Sequence, residues 1–148
     1  MEYYGLILNR TFWILLTPYH LIGIQANGAI ATESGHDLFT GFAVDLIVSS
    51  KIVRGDISNP YSYLKEKYIK ANADLDLMSD EFLRTNANFR VNKDDIKNVY
   101  YNPKKKWGMG YYPHDGRVYI ETNDGKKREL IVLGNQSGAY VANKFLTF

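Results

Sequence analysis

The sequence predicts a single, mainly β domain with a helical insertion, covering residues 1–148. Residues 11–53 and 95–133 are rich in β-branched and aromatic side chains, which favour strands. Residues 59–92 are charged and have apolar positions at helical spacing. Asn-Gly and Asp-Gly pairs supply the backbone conformations of tight hairpin turns. A hydrophobic fraction of 45% over 148 residues is sufficient for one core.

The first β region opens with a short apolar run, residues 12–16. Pro18 ends this run because proline has a fixed φ and no N–H to donate. Apolar sequence resumes at residues 21–24, and Asn27-Gly28 then favours a hairpin turn. We expect two or three strands joined by hairpins. The apolar run 42–53 is either strand or helix, since periodicity does not separate the two at this length.

The helical insertion contains two helix start signals. Asn59 precedes Pro60, which pairs a capping side chain with a proline at the first helical position. Ser79 precedes two acidic residues, which suit the positive end of a second, shorter helix. The first helix is expected to bury the residues that recur at helical spacing, namely Tyr61, Leu64, Tyr68 and Ala71.

The last β region has the period-two pattern of a strand with one buried face. Val118, Ile120 and Thr122 alternate with polar or amphipathic residues. Asn123-Asp124-Gly125 predicts a hairpin turn into a partner strand at 126–133, and Asp115-Gly116 predicts another turn. A helix from Ser137 onwards is expected to pack on the sheet through Val141, Ala142, Phe145 and Leu146.

Parts of this pattern resemble bacterial PH-like and GRAM-like domains. Residues 12–24 read FWILLTPYHLIGI, which is similar to the opening hairpin of that superfamily. The later part of that superfamily resembles three further segments and a closing helix of this chain, the segments being residues 95–99, 116–120 and 124–126. The resemblance implies a bent antiparallel barrel of about seven strands with a C-terminal capping helix, and residues 59–92 would be inserted between strands. That fold is used mostly for binding.

No catalytic or metal-binding pattern is legible in the sequence. There is no cysteine, and His20, His36 and His114 lack the spacing of a zinc site. Residues 134–138 read GNQSG, which places the serine one position late for a nucleophile elbow. We therefore expect no cofactor and no enzymatic activity. A net charge of +2 gives no reason to expect nucleic acid binding.

The candidate binding site is a cluster of basic residues around one tryptophan. From residue 104 to residue 128, seven basic residues stand against three acidic ones. Lysines beside an exposed tryptophan suit an anionic lipid surface, and the alternative is a solvated loop with the indole folded back on the barrel. In lipid-binding PH domains the basic site usually lies in the first hairpin, where residues 25–28 carry no cation here. The candidate residues are Lys104, Lys105, Lys106, Trp107, Arg117, Lys126, Lys127 and Arg128.

Three functional hypotheses remain open. The leading one, implied by the resemblance, is a non-catalytic interaction module that binds a protein partner or self-associates. The second is peripheral association with anionic membranes through the basic loop. The third is an enzyme whose site is not legible. No secretion signal or spanning segment is evident, because polar residues interrupt the apolar stretch 6–24. We expect a cytoplasmic protein, peripheral to the membrane under the second hypothesis.

Overall fold

The computed structural model describes residues 2–7, 10–29, 56–107 and 112–148, and these form mainly antiparallel β-structure. Three α-helices and two 3₁₀ helices accompany the strands in those ranges. The strands are β1 (Glu2–Ile7), β2 (Arg10–Leu16), β3 (His20–Ala29), β4 (Phe89–Asn92), β5 (Ile96–Asn102), β6 (His114–Thr122) and β7 (Lys127–Leu133). The helices are α1 (Glu66–Asn72), α2 (Asp80–Arg84) and α3 (Gly138–Thr147), with 3₁₀ turns at Pro60–Tyr63 and Lys93–Asp95.

The seven strands are ordered β4-β3-β2-β1-β7-β6-β5. Every described pairing is antiparallel. Strands β1 to β4 form one meander and β5 to β7 another, and a short pairing of β1 with β7, at Gly5↔Val132 and Leu6↔Ile131, joins them. The prediction of a mainly β domain with a C-terminal helix is confirmed. Within the described ranges no pairing joins β4 to β5, so closure into a barrel is not established.

The hairpin between β2 and β3 turns at residues 17–19, where Pro18 interrupts the apolar run. Thr17 stabilises this turn, because its Oγ1 accepts a hydrogen bond from the His20 backbone N–H at 3.0 Å. The prediction of a turn at Asn27-Gly28 is wrong, since both residues lie inside β3. Pairing of β3 with β2 reaches Gln25 and resumes at Ala29 after a register shift, so the Asn-Gly pair lies in an irregularity within the strand. Residues 42–53 lie outside the described ranges.

The helical segment between β3 and β4 is shorter and more broken than its sequence pattern predicts. Asn59 caps the first 3₁₀ turn, and its Oδ1 accepts from Tyr61 N at 3.0 Å. The single helix expected over 61–71 is two pieces, because Leu64 and Lys65 are extended. Ser79 caps α2 as predicted. Residues 89–92, expected to belong to the helical insertion, instead form β4, which pairs with β3.

The alternation predicted for β6 is confirmed, with every second side chain buried. The turn between β6 and β7 contains Gly125 at φ 81°, as the Asp-Gly pair predicts. The turn predicted at Asp115-Gly116 is wrong, because both residues lie in β6 where the pairing with β7 shifts register. Gly116 has φ 61°, and a Cβ there would lie 2.3 Å from the Asn102 carbonyl oxygen. The Asp-Gly pair therefore marks an irregularity within the strand.

The core lies on both faces of the sheet. Phe12 and Ile14 of β2 point into the main cluster beneath α3, whereas Trp13 and Leu15 point to the opposite face. The main cluster comprises Phe12, Ile14, Leu21, Val99, Val118, Ile120, Leu130, Val132, Val141, Ala142 and Phe145. The second cluster, around Ile22, Ile24 and Phe82, packs the helical segment on the sheet.

Helix α3 packs against β5 and β6. Val141, Ala142 and Phe145 are buried, as predicted, but Leu146 is 55% exposed, so its predicted burial is wrong. Ser137 caps the helix through Oγ, which accepts from Tyr140 N at 3.3 Å. None of the helices in the described ranges is long and apolar enough to cross a membrane.

Candidate functional site

The predicted site residues lie along one side of the β5–β6–β7 meander. Residues 104–107 follow β5, Arg117 is in β6, Lys126 is in the turn between β6 and β7, and Lys127 and Arg128 are in β7. Four of the eight, Lys106, Lys126, Lys127 and Arg128, line one groove. Trp107, Lys104 and Lys105 do not line it and belong to the exposed loop beside it.

The loop of residues 104–107, called the basic loop below, presents its tryptophan to solvent. The Trp107 side chain is 98% exposed, so it does not fold back on the sheet. Lys104 and Lys105 are exposed, and within the described ranges neither forms an ion pair. The basic loop therefore carries two uncompensated positive charges next to a large exposed apolar ring.

A buried histidine holds the base of the basic loop. His114 Nε2 accepts a hydrogen bond from the Lys106 backbone N–H at 3.0 Å. The other ring nitrogen, Nδ1, lies 3.0 Å from the Tyr112 carbonyl oxygen. Because Nε2 accepts, the neutral ring carries its proton on Nδ1 and donates it to Tyr112 O. This residue thus fixes the chain on both sides of the loop.

Glu129 contacts two of the predicted cations. Its carboxylate binds Lys106 Nζ, accepts from Tyr119 OH at 3.0 Å, and lies 3.7 Å from Arg117 Nη1. Partial burial opposes ionisation, but the hydrogen bonds from Lys106 and Tyr119 outweigh it and lower the pKa of Glu129. Lys106 and Arg117 therefore share a carboxylate of the protein itself as their partner.

Lys127 and Lys126 also have carboxylate partners. Lys127 Nζ lies 3.2 Å from Glu121 Oε1 and hydrogen-bonds Tyr100 OH. The hydrogen bonds to Tyr100 and then Glu121 raise the pKa of Lys127. Lys126 Nζ lies 2.6 Å from Asp124 Oδ2, and this contact, with further hydrogen bonds, lowers the pKa of Asp124. Both pairs are exposed, so each adds little to stability.

Arg128 is the predicted cation that lacks a carboxylate partner inside the groove. Its guanidinium lies 4.8 Å from the centroid of the Phe89 ring, a cation–π contact. Partial burial lowers the pKa of Arg128, and Asp124 only partly offsets this effect. No ion pair of Arg128 occurs in the described part of the chain.

The groove contains a second arginine that sequence reasoning missed. Arg10 begins β2 and lines the groove together with Arg128, Phe12 and Phe89. It is exposed and forms no ion pair with any described carboxylate. Arg10 is the only lysine or arginine in residues 1–50 of the sequence, so no local cluster marks it. The groove, called the basic groove below, has a volume of about 580 Å³.

A second cavity lies on the other face of the sheet, beneath the helical segment. It has a volume of about 510 Å³ and is lined mostly by apolar side chains, including Trp13, Leu15, Tyr68 and Ile69. Polar contact is limited to residues such as Gln25 and Asn72 at its edge. This apolar cavity was not predicted, because its walls come from strands and helices distant in sequence.

Within the described ranges, no group of three or more His, Cys, Asp or Glu side chains is arranged to hold a metal ion. Ser137 of the GNQSG segment caps α3 through its hydroxyl oxygen.

Comparison of this chain with protein-family models, curated proteins and solved structures finds no match.

Proposed function

We propose that this protein is a non-catalytic binding module that attaches to anionic membrane surfaces through the basic loop. The observation that carries the proposal is that Trp107 is 98% exposed, beside two lysines that form no ion pair with any described residue. Each basic residue close to an anionic surface contributes about 1 kcal/mol, and an indole is well placed at the headgroup level. The protein would then be cytoplasmic and peripheral to the membrane.

A PH-like barrel is part of this proposal. Seven antiparallel strands, arranged as two meanders with a C-terminal helix packed on β5 and β6, support it. The described part of the sheet ends at β4 on one side and at β5 on the other, and a barrel requires these edges to approach one another. An experimental structure in which β4 and β5 diverge from their three-residue link, so that the sheet stays open between them, would contradict it.

Vesicle sedimentation tests the membrane proposal. Wild-type protein should bind vesicles that contain phosphatidylserine and should not bind pure phosphatidylcholine vesicles. The double substitution Lys104→Gln/Lys105→Gln should weaken binding about 10- to 30-fold, since two charges are worth about 2 kcal/mol. The matched control is Lys67→Gln/Lys97→Gln, which removes two exposed lysines outside the loop and the groove and should bind within about twofold of wild type.

Trp107 provides a second readout. In a Trp13→Phe background, which leaves Trp107 as the remaining tryptophan, its emission should shift to the blue on binding. Trp107→Ala should weaken binding without changing its salt dependence, because the ring contributes no charge. If wild-type protein does not bind phosphatidylserine vesicles at low ionic strength, the membrane proposal is wrong.

The second candidate is binding of a protein partner or a second copy of this chain. The apolar cavity of about 510 Å³ favours it, because exposed Tyr61 and Ile69 stand at its wall. Sedimentation velocity over a range of concentrations tests self-association. Ile69→Asp should abolish a dimer held by this cavity, and a protein that stays monomeric at all concentrations would exclude the second copy as its occupant.

A further inference from the structure

The basic groove has features of a ligand site that are separate from the basic loop. Five cations line it, and three carboxylates contact those cations, namely Glu129, Asp124 and Glu121. Each of the three lysines contacts a carboxylate, although Glu129 also contacts Arg117 and Asp124 also acts on Arg128. Arg10 and Arg128 form no ion pair in the described part of the chain.

Arg128 is held in place by a rigid support. Its guanidinium lies over the Phe89 ring at 4.8 Å, and Phe89 contacts Phe12 with ring centroids 5.5 Å apart. On its other side Phe89 packs directly on Gly23, where an added Cβ would come within 2.1 Å of the ring. The Phe89 ring is thus fixed between two strands. A guanidinium placed on a fixed ring loses little freedom when an anion binds, which favours binding.

We infer that the basic groove binds a phosphomonoester between Arg10 and Arg128. A phosphomonoester carries close to two negative charges at neutral pH, which matches the two arginines that form no ion pair with the described carboxylates. Guanidinium groups present paired donors that suit phosphate oxygens, which a lysine ammonium does not. The groove volume of about 580 Å³ exceeds what a phosphate alone needs, and it lies within the usual range of organic ligand sites.

The groove also accounts for the organic part of such a ligand. Its wall contains Phe12 and Ala87 as well as Phe89. Phe12 is buried, but Ala87 and Phe89 are partly exposed, so an inorganic anion would leave them facing water whereas an organic phosphate would cover them. The inference rests partly on the proposed function, because Lys106 belongs to both the basic loop and the groove. A lipid headgroup and a soluble organic phosphate share this chemistry, so the experiment has an arm for each.

The soluble arm is a calorimetric titration with glycerol 1-phosphate, with sodium sulfate as the control dianion. Wild-type protein should bind glycerol 1-phosphate saturably and at least tenfold more tightly than sulfate. Arg10→Gln and Arg128→Gln should each weaken binding at least tenfold. Lys104→Gln/Lys105→Gln should bind it within about twofold of wild type. Arg10 is exposed, so its variant keeps the fold even if the Arg128 variant does not.

The lipid arm compares vesicles of phosphatidic acid, a phosphomonoester, with phosphatidylserine vesicles of equal surface charge. A lipid ligand predicts preference for phosphatidic acid that Arg10→Gln removes while binding to phosphatidylserine persists. A soluble ligand predicts no such preference but retains the calorimetric result. If Lys104→Gln/Lys105→Gln loses phosphatidylserine binding but still binds glycerol 1-phosphate, the result supports the proposed function and does not affect the inference about the groove. Absence of saturable binding in both arms, or binding that is insensitive to Arg10→Gln, would overturn the inference.

Discussion

At the scale of single residues, His114 links the fold to the proposed binding surface. It is 8% exposed, and both ring nitrogens are engaged by main-chain groups on either side of the basic loop. Lys106 takes part twice, through its backbone N–H to His114 and through its ammonium to Glu129. The position of the loop is therefore set by one buried imidazole and one carboxylate.

His114→Phe should loosen the basic loop. The phenyl ring fills a similar space but removes the hydrogen bonds that the imidazole makes with the Lys106 N–H and the Tyr112 carbonyl, and loss of such a bond in a buried site costs about 1–3 kcal/mol. The amide of Lys106 should exchange with solvent faster than in wild type, as measured by hydrogen–deuterium exchange. His20→Phe is the matched control and should leave Lys106 exchange unchanged. An unchanged Lys106 amide in His114→Phe would contradict this account of the loop.

At the scale of elements, amide side chains fix the helical segment on the sheet. Asn88 Oδ1 accepts from the Gln25 backbone N–H at 2.8 Å. Asn88 Nδ2 donates to Asn72 Oδ1 at 2.6 Å and to the Phe82 carbonyl at 3.2 Å. The Gln25 side chain in turn accepts from Ala87 N at 3.0 Å. These neutral, buried bonds join β3, α1 and the chain that enters β4, and they close one end of the apolar cavity.

Asn88→Ala should destabilise the protein by about 2–3 kcal/mol, because it strands the buried Gln25 N–H and the Asn72 oxygen. Urea denaturation measures the loss, and amide exchange in α1 and α2 should rise more than exchange in α3. Asn98→Ala, which removes an exposed amide from β5, is the control and should stay within about 0.5 kcal/mol of wild type. Equal stability of the two variants would show that the network does not hold the segment.

At the scale of the whole molecule, the sheet is covered on both faces. Helix α3 closes the main cluster on one face, and the helical segment packs on the other. A sheet with apolar side chains on both faces needs a layer on each. The basic loop lies outside both layers, whereas the basic groove shares Phe12 with the main cluster. Substitutions of the exposed residues Arg10, Lys104 and Lys105 therefore leave the core unchanged. Binding variants can therefore be separated from folding variants.

Phe145→Ala tests the importance of α3 for the whole fold. Phe145 is 1% exposed within the main cluster, and truncation of an enclosed phenylalanine costs about 3–5 kcal/mol. Leu146→Ala, at a neighbouring position that is 55% exposed, should change stability by less than about 0.5 kcal/mol. Denaturant melts compare the two. A loss below about 1 kcal/mol for Phe145→Ala would make α3 a peripheral element.

Several parts of the fold were predictable because their signals are local. The alternation in β6, the Asp-Gly turn before β7 and the Ser137 cap of α3 each depend on residues a few positions apart. The prediction of a turn at Asn27-Gly28 was wrong because the pair forms an irregularity within β3, whose pairing with β2 resumes at Ala29. Strand β4 was missed because only four residues pair with β3, too few for a periodic pattern.

The candidate site was predictable only in part. The lysines and Trp107 form a visible cluster in the sequence, so the exposed basic loop could be identified. Their internal ion pairs could not, because Glu129 reaches Lys106 across the meander, from a strand distant in sequence. Arg10 could not be identified either, because it reaches the groove from β2 and precedes Arg128 by more than 100 residues in the sequence.

The sequence by itself determined the mainly β character, the helix caps and the apolar side of α3, because these follow from backbone preferences and side-chain periodicity over a few residues. Only the folded arrangement shows which strands are neighbours, which cations contact carboxylates and which two arginines of the basic groove have no ion pair among the described residues. Those outcomes depend on contacts between residues far apart in the chain, and such contacts arise only when the sheet brings β2, β4 and β7 together.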